Sequence, residues 1–177
     1  MLMRILLLVM MLLGITACDD LADLDSSSSG NGGGDTVVTI PEGEIATVTR
    51  VIDGDTIDVL IDGEQVRVRY IGVNTPERDE PCYSDATQAN RDLVDGKTVT
   101  LVTDSSDTDR YDRLLRYIYA DGVFVNESLA RNGYAEAVLY QPNGMFYDEF
   151  LALEKLAAEA GQGCHSTGIF DDGSDTR

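Results

Sequence analysis

Three short segments hold the side chains with the most chemistry to offer. Asp53-Gly54-Asp55-Thr56 puts two carboxylates on either side of a glycine, at the start of a β-branched run. Arg69 stands five residues before Asn74, which opens the segment Asn74-Thr75-Pro76-Glu77. Asp109-Arg110-Tyr111-Asp112-Arg113 brackets an aromatic ring with two guanidiniums. Carboxylate, amide and carbonyl oxygens are the ligands a hard divalent cation such as Ca2+ takes. A guanidinium offers a planar, permanently charged fork that matches phosphate oxygens, and a glutamate beside a water molecule can act as its base. Singly, these segments are common. DGD is usually only a turn, TPE often opens a helix, and an arginine cluster is usually a solvated face.

The elements that must position them follow from hydrophobic periodicity and turn residues. Residues 45–52 read as a first strand and 55–61 as a second, with Asp62-Gly63 a tight hairpin turn before a third over 65–73. In that third strand Val66, Val68 and Tyr70 alternate with Arg67, Arg69 and Ile71, so one face packs and the other presents two arginines. Residues 84–95 read as a helix with Ser84 as N-cap and Gly96 as its stop. Strands follow over 97–103 and 114–120, then a short helix over 125–132. The clearest amphipathic helix spans 146–160, with Phe146, Phe150, Leu153, Leu156, Ala157 and Ala160 on or near one face. Five short strands with about three helices fit a small five-stranded barrel of the OB type, although periodicity alone gives only a single α+β domain.

Order and company give the three segments more weight. VTRVIDGDTIDV, VRVRYIGVNTPE, TDRYDRLLRYIYADG and VNESLARNGYA resemble, in sequence order, the hallmark segments of the staphylococcal (thermonuclease-type) nuclease family, over about Ile45 to Phe170. The resemblance implies a Ca2+-dependent phosphodiesterase acting on DNA and RNA, single-stranded or denatured strands favoured. It implies Asp55 and Asn74 as metal ligands through their side chains and Thr75 through its carbonyl. Glu77 becomes the carboxylate that activates water, and Arg69 and Arg113 the pair gripping the scissile phosphate. Arg110 and Tyr111 would meet a terminal phosphate, and Tyr140 would line the nucleotide pocket. Three positions depart from the family's pattern. Asn74 replaces an aspartate, Asp112 a glycine, and Val138 a second pocket tyrosine. A non-catalytic OB-type binding module on a lipid anchor is the alternative.

A formal net charge of −19 opposes passive binding to a polyanion. Nine of the 13 basic residues nevertheless fall between Arg50 and Arg116, where a nucleic acid would be met. The N-terminus reads as a targeting segment, with Arg4 ahead of an apolar run that ends at Ile15-Thr16-Ala17-Cys18. That ending resembles a bacterial lipobox, with Cys18 as the lipidated residue; an ordinary signal peptide is the alternative. Residues 1–17 are then a lipoprotein signal peptide and 18–43 an acidic Ser/Gly tether. Residues 44–171 form the globular domain and 172–177 a tail. The expected location is exported and lipid-anchored to the bacterial envelope, as a monomer. Cys82 and Cys164 remain as an even pair, which in an exported chain reads as a disulfide, two free thiols being the alternative. His165, the single histidine, reads as a surface residue.

Overall fold

The structure, a computed structural model, describes residues 40–171. The expected signal segment, Cys18, most of the expected tether and the expected tail lie outside those residues. β1 (Glu44–Val51) pairs antiparallel with β2 (Thr56–Ile61) on one side and with β5 (Thr98–Val102) on the other. β2 continues into β3 (Glu64–Tyr70) through Asp62 and Gly63, both in the left-handed region with φ 50° and 89°. Two successive positive φ values are what a two-residue hairpin turn demands, and an Asp-Gly pair supplies them at low cost. β5 pairs with β6 (Leu114–Ala120), which turns at Asp121-Gly122 into the short β7 (Val123–Phe124). A parallel pairing of β3 with β6 closes the sheet. The result is a five-stranded closed mixed β-barrel with three helices, an OB-fold. A register shift between Val48 and Arg50 bends β1 so that it can serve both halves.

The barrel interior is filled by Ile57, Val59, Val68, Tyr70, Leu101 and Ile118, all nearly or fully buried. α1 (Tyr83–Val94), α2 (Val125–Arg131) and α3 (Tyr147–Glu159) pack outside it. Tyr117 and Phe124 meet Phe146 edge-on, with centroids 4.8 and 5.0 Å away. This cluster seals the end of the barrel beneath α3.

Several expectations are corrected. The third strand does not run to residue 73. It stops at Tyr70 because Gly72 has φ 78°, and a Cβ there would sit 3.0 Å from the Phe150 ring. Only glycine allows the chain to pass so close beneath α3 and restart as β4 (Val73–Asn74), which pairs with β8 (Glu136–Ala137). Ser84 is not the N-cap of α1; the helix opens at Cys82, φ 69°, with no side-chain cap. Cys82 Sγ is bonded to that of Cys164, so the entry to α1 is tied covalently to a 3-10 turn at Gly163–Thr167. The apolar stripe of α3 is narrower than its sequence implies: Phe150 and Ala157 are buried, whereas Leu156 is 62% exposed. The helix rests on α2 and β8 along one edge rather than lying in a groove. His165 is half-buried against the Phe170 ring, and burial lowers its pKa.

Candidate functional site

The tight turn ahead of β2 creates the first half of the site. Asp53 Oδ1 accepts the Asp55 N–H at 3.1 Å, folding the DGD segment back on itself. Gly54 lets the loop carrying Thr75 come against it, since a Cβ there would lie 2.6 Å from Thr75 Oγ1. That approach allows buried Asp55 to accept three donors at Oδ2: the Thr75 N–H at 2.8 Å, the Thr75 hydroxyl at 2.9 Å and Arg69 Nη2 at 3.2 Å. Burial, and then the neighbouring Asp55 charge, push the Asp53 pKa up to about 7. Two carboxylates held this close disfavour a second negative charge unless a cation is nearby.

Arg69 is 8% exposed, so the two-arginine solvent face expected of β3 holds only for Arg67, which is exposed and bonded to Asp58. The strand curls at its end and carries Arg69 under the 70–74 segment. There Nη1 donates to the carbonyls of Tyr70 (3.0 Å) and Val73 (2.8 Å), and Nη2 to Asn74 Oδ1 (2.9 Å). With the Asp55 contact these make four, which leave the guanidinium one orientation. Asn74, fully buried, uses the other end of its amide to donate Nδ2–H to Glu136 Oε1 at 2.9 Å.

The second half comes from the loop before β6. Asp109 Oδ1 accepts the backbone N–H groups of Tyr111 (2.9 Å) and Arg113 (3.0 Å), and Oδ2 accepts Arg113 Nε at 2.7 Å. Although burial opposes its ionisation, these donors outweigh it and hold the Asp109 pKa below the usual carboxylate range. Arg110 lies over the Tyr111 ring at 4.7 Å and Arg113 at 5.6 Å, so one exposed aromatic ring gathers both guanidiniums. Asp112 between them has φ 60°, the conformation that explains a glycine there in the family's pattern.

Between the halves lies a cavity of about 620 Å³ whose wall includes Arg69, Glu77, Arg110, Tyr111, Arg113 and Tyr140. Glu77 is exposed there, with its N–H donated to Glu80 Oε2 at 2.7 Å. Burial raises the pKa of the Tyr140 hydroxyl. The charges of Arg69, Asp55, Glu136 and Arg113 also act on it, which locates it above the same charged cluster. Asp55, Asn74 and Thr75 are not on the wall; they form a layer behind Arg69. Val138 is 2% exposed and belongs to the interior. Sequence reasoning missed two participants. Asp109 was visible inside its cluster but not recognised as the anchor of Arg113. Glu136, an acid inside the apolar run Tyr134-Ala135-Glu136-Ala137-Val138, was the stronger signal and went unread.

Residues 67–166 match the family model for the staphylococcal nuclease homologue, more than half of the chain. This chain belongs to the staphylococcal nuclease family. It is 42% identical to endonuclease YncB of Bacillus subtilis over 119 residues, 63% of this chain and 56% of that protein. It is 40% identical to the SPbeta prophage-derived endonuclease YokF of the same organism over 119 residues, 63% of this chain and 40% of the relative. With the thermonuclease of Staphylococcus hyicus it shares 37% over 116 residues, 62% of this chain and 69% of the relative. Two of these alignments thus span only about half of the relative's own length. The staphylococcal nuclease segments carry most of the site: Arg69, Asn74, Thr75, Glu77, Arg110, Tyr111, Arg113 and Tyr140 all fall inside the matched stretch, with Asp55 twelve residues before it.

Proposed function

We propose that the domain hydrolyses phosphodiester bonds in DNA and RNA, with single-stranded or denatured strands favoured and Ca2+ as cofactor. The observation that carries the reading is the meeting of Arg69, Glu77 and Arg113 around one cavity. Arg69 and Arg113 line that cavity from opposite halves of the site, Arg69 held through Nη1 and Nη2 and Arg113 through Nε. They would grip the non-bridging oxygens and take up the charge that grows on them in the transition state. Exposed Glu77 is free to accept a proton from a water placed beside the phosphorus. Arg110 with Tyr111 would hold a neighbouring phosphate, and Tyr140 would meet the nucleotide.

The donor chemistry fits a hard divalent cation. Asp55 Oδ2 and Asn74 Oδ1 already converge on one positive charge, the Arg69 guanidinium, and the Thr75 carbonyl belongs to the same segment. Among the described residues no group of three or more His, Cys, Asp or Glu is disposed to hold a metal. When bound, Ca2+ would polarise the phosphate and favour water's deprotonation. An exported protein held at the cell envelope through lipid on Cys18, acting as a monomer, completes the proposal. Among the described residues no helix is long and apolar enough to cross a membrane.

The test incubates residues 36–177, oxidised, with denatured DNA in Ca2+ or chelator, beside a Glu77→Gln variant. Cleavage that needs Ca2+ and is lost in the variant supports the reading. Intact DNA under every condition, from folded protein, moves the assignment to a binding module.

A further inference from the structure

Where the family's pattern has an aspartate, this chain has Asn74, and the loss of one negative charge weakens any cation site built on that position. The fold answers that loss one strand away. β4 and β8 pair antiparallel with Asn74 directly opposite Glu136. Glu136 is 6% exposed, and its Oε1 accepts the Asn74 Nδ2–H at 2.9 Å. A buried carboxylate is costly unless its surroundings favour the charge. Glu136 sits in an otherwise apolar run.

We propose that Glu136 is a positioning residue of the calcium site, supplying from behind Asn74 the negative charge that Asn74 itself lacks. Two effects follow from the geometry. The first is orientation: with Nδ2 committed to Glu136, Oδ1 is the end of the amide turned toward the Arg69 guanidinium, the side on which the proposed cation would be met. The second is electrostatic. A carboxylate hydrogen-bonded to the amide polarises it, making Oδ1 a better donor, and adds a fixed negative charge behind it. Glu136 acts through Asn74, as an outer partner does for a metal-bound histidine or carboxylate.

This inference rests on the calcium reading, and the experiment separates the two. Calcium affinity is measured by calorimetry on the oxidised domain, with metal-free thermal stability recorded in parallel. Wild type, Glu136→Gln and the double variant Asn74→Asp/Glu136→Gln are compared. The double variant moves the charge across the same hydrogen bond, with the glutamine amide now donating to the new carboxylate. Calcium affinity is expected to fall about 10- to 100-fold in Glu136→Gln. It is expected to return to within about threefold of wild type in the double variant, following the charge and not the metal-free melting temperature. A Glu136→Gln protein that binds calcium as wild type does overturns the role of Glu136 and leaves the calcium reading intact. Wild type that binds no calcium overturns both. Should Glu136→Gln fail to fold, the double variant decides alone: folded with near wild-type affinity it supports the transposed charge, and folded with calcium binding lost it refutes it.

Discussion

Replacing Asp109 by asparagine isolates what holds Arg113 in place. The isosteric amide can keep Oδ1 as acceptor for the Tyr111 and Arg113 N–H groups, at 2.9 and 3.0 Å in the parent. It presents an N–H in place of Oδ2 to Arg113 Nε, turning a 2.7 Å charged hydrogen bond into two opposed donors. A hydrogen bond to a charged group contributes about 1.5–3 kcal/mol, and this pair's side chains are only 17% and 29% exposed. The variant should therefore lose about 1–2 kcal/mol of stability. Asp109→Ala, which also abandons two backbone donors worth about 1 kcal/mol each, should lose about 3–4 kcal/mol. For activity two effects compete. Removing the acid unmasks Arg113 and strengthens its pull on phosphate, but it also frees the guanidinium to rotate. Misplacement of a catalytic group by about 1 Å can cost 100-fold, whereas unmasking a partly exposed charge is screened. Positioning should win. The assay follows cleavage of a denatured oligonucleotide at saturating Ca2+, with kcat and KM separated. The expected outcome is kcat lower by 10- to 100-fold with KM unchanged or slightly lower. An Asp109→Asn enzyme with undiminished kcat would refute the claim that this carboxylate orients Arg113.

Breaking the Cys82–Cys164 bond, whose partners are 82 residues apart, should destabilise the domain by up to roughly 4.5 kcal/mol on the loop-entropy argument, read from denaturant midpoints with and without reductant. An unchanged midpoint would show that the crosslink does not restrain the unfolded chain. Asp112→Gly should raise stability by about 0.5–1 kcal/mol, because φ 60° suits glycine. It should also lower KM at low salt by removing an acid beside Arg113. Asp104 accepts the N–H groups of Gly144 and Met145 and the Tyr117 hydroxyl, and these outweigh burial to depress its pKa. Its stabilisation is therefore present above the unfolded value of about 3.9 and lost as pH falls through the lower folded one. Asp104→Asn should flatten acid unfolding below about pH 4. Activity should rise from very low to moderate ionic strength as the −19 charge is screened, and a monotonic fall would refute that view.

The parts of the fold legible in the sequence were those set by local rules. The Asp62-Gly63 hairpin, five strands and three helices lie within a residue or two of where periodicity and turn chemistry put them, apart from the far end of β3. Tertiary contact decided the rest. β3 breaks because α3 drives Phe150 against Gly72, a partner 78 residues away that no strand pattern can announce. Likewise α1 starts without a side-chain cap where Cys164 holds its first turn. In the candidate site, the side chains expected to do chemistry could be named from motif order, and those that orient them could not. Asp109 and Glu136 act through hydrogen bonds whose partners are fixed only once β8 lies beside β4 and the 109–113 loop closes.

The charge distribution shows the same division. Counting basic residues between Arg50 and Arg116 offered a patch of nine to offset the acidic surface. In the folded domain Arg50 and Arg67 are bonded to Asp58, Arg116 to Asp107 and Lys97 to Asp121. Only Arg69, Arg110 and Arg113 line the cavity, and two of those are themselves paired with acids. The substrate would therefore meet no broad basic field to draw it in from a distance, only a small set of oriented donors effective at contact range. Such a site depends on the placement of its arginines more than on their number. Asp109 and Glu136, acids that a simple charge count would score against nucleic-acid binding, are then part of what makes the site workable.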